Sequence, residues 1–275
     1  MSVTKPFLTW AGGKSKLLPL IQKHAVLKDT YIEPFAGGGS VFLNMPGYKH
    51  YIINDINPDV VNTFWYVQRD GIDFIDQCAQ YFKPENNTKE AYYQMRDRFN
   101  ELIGSDSKER SALFVYLNKH CFNGICRYNK KGEFNVPFGG HKQVNFPLYE
   151  MLDFHDKTQG MIFMCVDFHR LFEIVNDRES CFIYCDPPYV KETKNKHQGA
   201  PLYAPAFTSQ DHTDLARLAQ ECPHPCIISN HDTEETRILY STAELITFQS
   251  RRVIAARSID RRDADELLAI FHKTN

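Results

Sequence analysis

Asp186-Pro187-Pro188-Tyr189, set directly after the apolar run Cys181-Phe182-Ile183-Tyr184-Cys185, has the residue types needed to receive an amine. The run reads as a buried strand, so the tetrapeptide falls at a carboxyl end, where open α/β sheets bind their ligands. Two consecutive prolines lack N–H groups and hold φ near about −65°, which leaves carbonyl oxygens free as acceptors on a stiff turn. Asp186 adds a carboxylate, and Tyr189 adds a flat face for stacking. Acceptors beside a stacking plate suit an exocyclic NH₂ on a heteroaromatic base. Asp-Pro also begins ordinary turns, so the tetrapeptide alone leaves both readings open.

A second group of residues could cradle a nucleoside. Glu33-Pro34-Phe35-Ala36-Gly37-Gly38-Gly39-Ser40 follows the first apolar run. Glycines at such a bend let a ligand approach the backbone and present N–H groups at a helix start, although the spacing is not Gly-x-Gly-x-x-Gly. The next run ends in Asp55, within Ile53-Asn54-Asp55-Ile56-Asn57, where a carboxylate commonly receives ribose hydroxyls. A third ends in Asp167-Phe168, an acceptor beside an aromatic face, which suits an adenine; a helix-capping Asp and a core Phe fit equally well. Near the start, Phe7-Leu8-Thr9-Trp10-Ala11-Gly12-Gly13-Lys14 joins aromatic residues, glycines and a cation. Its Gly-Gly-Lys-Ser lacks the first glycine of a phosphate loop, and no strand clearly precedes it, which excludes an NTPase reading.

Strands and helices must position these groups. Apolar runs at 30–33, 51–54, 161–166, 181–185 and 226–229 are followed by turn residues, with amphipathic stretches at 15–24 and 211–220. Strands alternating with helices predict an α/β fold with a mainly parallel sheet covered on both faces. Residues 265–271 fit either a helix or a strand, and their place closing the chain after 244–248 favours a strand in an antiparallel hairpin at the carboxyl-terminal edge. Between Tyr66 and about Asp156 the alternation stops. Two amphipathic helices, 90–103 and 108–120, are predicted there, the second carrying Ala112, Leu113, Tyr116 and Leu117 inward. A hairpin follows, with Arg127-Tyr128-Asn129 and Glu133-Phe134-Asn135-Val136 joined by Lys130-Lys131-Gly132. The organisation expected is a catalytic domain of 1–66 and 157–275 with an inserted helical and hairpin domain of 67–156.

The chain of 275 residues has no apolar stretch near the ~20 residues of a membrane span, and its first seven residues lack a signal-peptide core. A cytoplasmic protein is expected. Cysteines at 78, 121, 126, 165, 181, 185, 222 and 226 form no Cys-x-x-Cys pair. Cys222-Pro223-His224-Pro225-Cys226 has no second ligand pair at zinc spacing, and no metal is expected. Formal net charge is -2, which by itself argues against nucleic acid, but the average conceals two basic clusters. Lys119, Arg127, Lys130, Lys131 and Lys142 form one, and Arg251, Arg252, Arg257, Arg261 and Arg262 the other. Such clusters on an acidic chain are what a phosphate-tracking groove requires.

Taken in order, several motifs make one pattern. They are Trp10-Ala11-Gly12-Gly13-Lys14, the glycine motif from Glu33 to Ser40, Asn54-Asp55-Ile56-Asn57, Asn123-Gly124-Ile125-Cys126-Arg127-Tyr128-Asn129, Phe134-Asn135-Val136-Pro137-Phe138-Gly139, Asp186-Pro187-Pro188-Tyr189 and Ile228-Ser229-Asn230-His231-Asp232. From Phe7 to about Phe271 the chain resembles the Dam-type DNA adenine-N6 methyltransferases, and its motif order is similar to the alpha group of amino-methyltransferases. The resemblance implies a Rossmann-like methyltransferase sheet, S-adenosylmethionine as cofactor, and double-stranded DNA as substrate, with an adenine flipped from GATC. Catalysis would fall to Asp186, Pro187, Pro188 and Tyr189. Cofactor contacts would come from Trp10, Ala11, Gly12, Lys14, Glu33, Pro34, Phe35, Gly37, Gly39, Ser40, Asp55, Ile56, Asp167, Phe168 and Asp186.

DNA contacts would come from Lys119, Phe122, Asn123, Ile125, Arg127, Asn129, Lys130, Asn135, Pro137 and His141. Phe122 and Asn123 lie where the family fills the gap left by the base, and Arg127 where it reads a guanine, a pairing worth ~1–3 kcal/mol of discrimination. Two positions depart from the pattern: Thr9 stands where Lys is frequent, and Gly140-His141 where Arg-Tyr is frequent. The rival readings are a cytosine-N4 methyltransferase, a group that more often carries Ser in place of Asp186, and a non-catalytic DNA-binding protein retaining the fold. No protein partner is indicated.

Overall fold

A computed structural model describes residues 3–190, 207–251 and 263–273. Its strands are β1 (Thr30–Glu33), β2 (His50–Asn54), β3 (Ile162–Met164), β4 (Cys181–Cys185), β5 (Cys226–His231), β6 (Glu244–Arg251) and β7 (Asp263–Phe271). They form one mixed sheet in the order β3-β2-β1-β4-β5-β7-β6. Every pairing from β3 across to β5 is parallel, whereas β7 runs antiparallel to both β5 and β6. The helices are α1 (Leu18–His24), α2 (Pro58–Asp70), α3 (Ile72–Ala79), α4 (Lys89–Glu101), α5 (Lys108–His120), α6 (Leu148–Lys157), α7 (Phe168–Asn176), α8 (Ser209–Glu221) and α9 (Glu234–Leu239). None is long and apolar enough to cross a membrane.

Strand periodicity divides the core into two layers. Tyr31, Ile53, Phe182, Tyr184 and Ile227 join one apolar cluster with residues of α1 to α6, while Ile32, Ile52, Ile183, Cys185 and Ile228 face α7 and α8 in the other. Because both faces are covered, β1 and β4 are buried at every position. That burial explains why these strands read as continuous apolar runs rather than alternating ones. All eight cysteines are free thiols, seven of them buried.

Strand order reverses between β1 and β4, which opens a crevice beyond their carboxyl ends. Asn54 fastens its rim: its side-chain amide donates to the carbonyls of Pro34 and Val166 at 2.9 and 3.0 Å and accepts from the Val166 N–H at 2.9 Å. With both Val166 backbone groups taken by a side chain, the third strand stops at Met164, short of the expected 161–166. The first helix likewise starts late, at Leu18, because a tight turn from Lys14 to Leu17 precedes it and Pro19 occupies its first turn. The carboxyl-terminal hairpin forms as expected, with β6 as the edge and β7 inside it.

The insertion differs most from expectation. Asn57 caps α2 by accepting from the Asp59 N–H, and the helix then continues unbroken to Asp70, through the expected boundary at 66/67. α5 is not amphipathic: Phe114 and Val115 are as buried as Leu113 and Tyr116, so the helix is enclosed on all sides by α2, α3 and α4. Its Arg110 makes a two-pronged ion pair with Asp59 at 2.6 and 2.9 Å, and Tyr128 donates to the same carboxylate at 2.6 Å. Asp59 therefore ties the start of α2 to α5 and to the hairpin. That hairpin is present, closed by hydrogen bonds of Asn129 with Glu133 and by Gly132 at φ 78°, but only Tyr128 and Phe134 pair as strand residues.

Candidate active site

The carboxyl end of β4 delivers Asp186 into the crevice. One carboxylate oxygen lies 3.0 Å from the Lys14 ammonium, and the other accepts from the Ser229 hydroxyl at 3.4 Å. Lys14 also donates to the Gly12 carbonyl at 2.7 Å and sits 4.6 Å from the centre of the Tyr189 ring. This lysine, expected among cofactor residues, is thus the direct partner of the amine-site carboxylate. Burial raises the Asp186 pKa above the ordinary range, Lys14 opposes the rise, and the charge of Glu266 adds to it.

Residues 229–231 at the end of β5 fasten the Asp-Pro-Pro-Tyr turn. Asn230 accepts from the Val190 N–H at 3.0 Å while donating to the Tyr240 hydroxyl, and His231 meets the Val190 carbonyl at 2.8 Å. Ser229 is held by the Tyr184 hydroxyl at 2.7 Å. The Tyr189 hydroxyl donates to Glu266 at 3.1 Å. Ser229, Asn230 and His231 stand in the sequence motif at 228–232 without a site role assigned to them, and Glu266 carries no motif signal at all.

Across the switch point lies the glycine bend. The Gly37 N–H donates to Asp55 at 2.8 Å, and the other Asp55 oxygen accepts from the Asn57 N–H at 2.9 Å. Burial raises the Asp55 pKa against those two hydrogen bonds. Gly37 has φ 49°, and a Cβ there would come within 2.7 Å of the Trp10 indole nitrogen, so the indole lies directly against the bend. The bend leads into a short 3-10 turn, Phe42–Asn44, in place of the expected helix start. Ser40 accepts from the Lys14 N–H at 3.0 Å, which joins the bend to the amine site.

Asp167 caps α7 by accepting from the His169 N–H at 2.9 Å, and its exposed carboxylate also contacts the His169 ring. Burial lowers the His169 pKa, but hydrogen bonds to Asp167 and Asp214 outweigh it and the net shift is upward. Phe168 is buried against Phe35 and Phe207, with ring centres at 5.7 and 5.5 Å. The capping and core roles weighed for this pair are both present. Ile56 is exposed at the rim. Glu33 is buried beneath the crevice, where Tyr31 donates to it at 2.6 Å and burial pushes its carboxyl well above the usual range.

In the insertion, Arg127 is fixed on the hairpin by Asn135, through its Nε to the side-chain oxygen at 2.8 Å and its Nη2 to the backbone carbonyl at 3.3 Å. Phe122 is 41% exposed, and Asn123 beside it has φ 56°. Lys130, Pro137 and His141 are exposed, and Ile125 is half-buried. Asn129 is a turn-former, accepting from the Lys131 and Glu133 N–H groups. Lys119 donates to the Thr9 hydroxyl at 3.2 Å, and burial lowers its pKa. The second basic cluster, Arg252, Arg257, Arg261 and Arg262 with the side chain of Arg251, lies outside the described residues.

The family model for D12 class N6 adenine-specific DNA methyltransferases matches residues 10–254. The chain belongs to this class. Curated relatives carry the name DNA adenine methylase: one from Vibrio cholerae is 40% identical over 98% of this chain and 97% of its own length. Those from Serratia marcescens and Escherichia coli K12 are 39% and 38% identical, again over 98% of this chain and over 100% and 96% of their own lengths.

The chain is therefore an adenine-specific DNA methyltransferase, and the cytosine-N4 and non-catalytic readings are set aside. Asp186 and Tyr189 lie within the matched span, as do the glycine bend and Arg127. Among the described residues, this methyltransferase has no group of three or more His, Cys, Asp or Glu arranged to hold a metal ion.

Proposed function

We propose that this methyltransferase transfers the methyl group of S-adenosylmethionine to N6 of an adenine flipped out of duplex DNA, within GATC. The observation that carries the reading is the half-buried Asp186 carboxylate, with Tyr189 beside it and Lys14 balancing its charge, next to a crevice of nucleoside-binding character. That crevice fits the cofactor by its donor set. Asp55 and Asp167 offer acceptors for hydroxyl and amino groups, Phe35, Phe168 and Ile56 offer apolar surface, and Gly37, without a Cβ, lets the Trp10 indole close against the bend. When bound, S-adenosylmethionine supplies a methyl group on a sulfonium, which departs as a neutral thioether.

This chain's own residues act on the amine. An adenine NH₂ is a weak nucleophile because its lone pair is delocalised into the ring. Hydrogen bonds from it to the Asp186 carboxylate and the Pro187 carbonyl favour a pyramidal nitrogen and aim the lone pair at the methyl carbon. Most of the acceleration comes from alignment and preorganised acceptors. After transfer the nitrogen carries one proton too many, and Asp186, with its pKa raised by burial, suits the role of first acceptor. Lys14 keeps that carboxylate ionised before the base arrives.

Extrusion of the base costs a few kcal/mol, which stacking on Tyr189 partly offsets. The inserted domain, residues 67–156, reads the target: Arg127 contacts a guanine and Phe122 with Asn123 fills the vacated space. The reaction belongs to the cytoplasm, where bacterial DNA lies. Plasmid methylated by the protein, then cut with nucleases that differ in sensitivity to GATC methylation, tests the sequence: protection at every GATC supports it, and protection at another sequence overturns it.

A further inference from the structure

Tyr189 is gripped at more than one point by residues outside its own turn. In the antiparallel pairing of β5 with β7, His231 and Glu266 are opposite one another, so both side chains project from the same face of the sheet edge. They converge on one ring: the Tyr189 hydroxyl donates to Glu266 at 3.1 Å, and the His231 imidazole meets the ring at 4.7 Å and 81°. β7 matters here because it runs against its neighbours. Its amino-terminal end reaches the edge at which the parallel strands finish, and so brings an acid to the amine site from the last strand of the chain.

A phenol ring attached through two rotatable angles, χ1 and χ2, is a poor platform unless its far end is also held. We propose that Glu266 is a positioning residue for methyl transfer, fixing the direction of the Tyr189 ring axis through its hydroxyl while His231 opposes rotation of the ring about that axis, so that the target adenine is presented to Asp186 in a reactive pose. The proposal rests on Tyr189 as the stacking platform for the flipped base. Glu266 does not touch the base; its effect passes through the tyrosine. The burial of Tyr189, which pushes its hydroxyl pKa well upward, keeps the phenol protonated and therefore a donor to the carboxylate.

The test is a double-mutant cycle on single-turnover methylation of a GATC duplex, with duplex affinity measured separately. Glu266→Leu is expected to slow the single-turnover rate by about ten-fold or more, and to leave the duplex Kd within about two-fold. Glu266→Gln retains an acceptor for the hydroxyl and should recover the rate to within about three-fold of the parent. In the Tyr189→Phe background, Glu266→Leu should cost little more, because the bond it removes is already gone. A parent-like rate for Glu266→Leu overturns the proposal, as does an undiminished further loss in Tyr189→Phe. Should Glu266→Leu melt below assay temperature, Tyr189→Phe reads the same bond from its other end, and a parent-like rate there overturns the proposal equally. A parent protein that forms no N6-methyladenine defeats the platform reading itself, a different result from either.

Discussion

The Lys14 ammonium lies 3.0 Å from the Asp186 carboxylate and 4.6 Å from the centre of the Tyr189 ring, the two groups that an adenine amine and its ring would engage. The site thus holds a cation donor against the acceptor that a base must use. Buried charges persist only when paired, and this pair allows a carboxylate to wait ionised in a desolvated crevice.

Lys14→Met should therefore reveal the burial that Lys14 offsets. Burial raises the Asp186 pKa and Lys14 lowers it, so removing the lysine leaves the carboxyl higher and less ionised at a given pH. The acid limb of the single-turnover pH–rate profile should move to higher pH, with the largest loss at the acid end. A limb that stays in place or moves down contradicts the assignment.

Asp55→Ala removes the acceptor that holds the Gly37 and Asn57 N–H groups. Hydrogen bonds to a charged group contribute about 1.5–3 kcal/mol each, so cofactor affinity measured calorimetrically should fall by roughly ten-fold or more. Unchanged affinity would place the cofactor elsewhere.

Fold and site were legible to different depths. The strand ends carrying Asp55 and Asp186 are readable because buried parallel strands appear as apolar runs cut off by polar residues, whereas Asp167 lies beyond the end of the partly exposed β3, as the cap of α7. α5 was placed at 108–120, as found, yet its enclosed character was not, since one sequence shows which residues are apolar but not how many neighbours surround them. α2, α3, α6, α7 and α9 went unassigned: 58–70 mixes Asn, Thr, Gln and Arg with its apolar face, and 168–176 was dominated by the ligand reading of Asp167-Phe168. The pairing of Lys14 with Asp186, and of Glu266 with Tyr189, joins distant segments that only the sheet order brings together.

Arg127 and Asn135 act together, because Asn135 holds the guanidinium at two points. Arg127→Ala should lose ~1–3 kcal/mol of discrimination at one base pair of the target, measured as the ratio of methylation rates on cognate and singly altered duplexes. Asn135→Ala should lose part of the same discrimination at the same base pair. A loss spread evenly over all duplexes would make Arg127 a backbone contact instead.

Glu33 provides a stability test. Its carboxyl is raised well above the ordinary 4.5, first by burial and further by the charges of Asp186 and Asp55, while the Tyr31 hydrogen bond opposes the rise. For a group raised on folding, the stabilising contribution is complete below the unfolded value and is lost as pH rises through the folded one. Glu33→Gln carries no such dependence, so its Tm should gain on the parent between pH 5 and pH 8, by about 2–4 °C per kcal/mol recovered. A gap that narrows as pH rises would contradict the burial of Glu33 as a neutral acid.

The most direct test is to incubate the parent and Asp186→Asn with methyl-labelled S-adenosylmethionine and a GATC duplex, then digest to nucleosides and identify the labelled one in a single turnover. The parent should yield N6-methyladenine. Asp186→Asn should bind the duplex comparably but form that product roughly a hundred-fold more slowly or worse, the scale of losing a preorganised catalytic hydrogen bond. Label in N4-methylcytosine, or an Asp186→Asn rate equal to the parent's, would contradict the account.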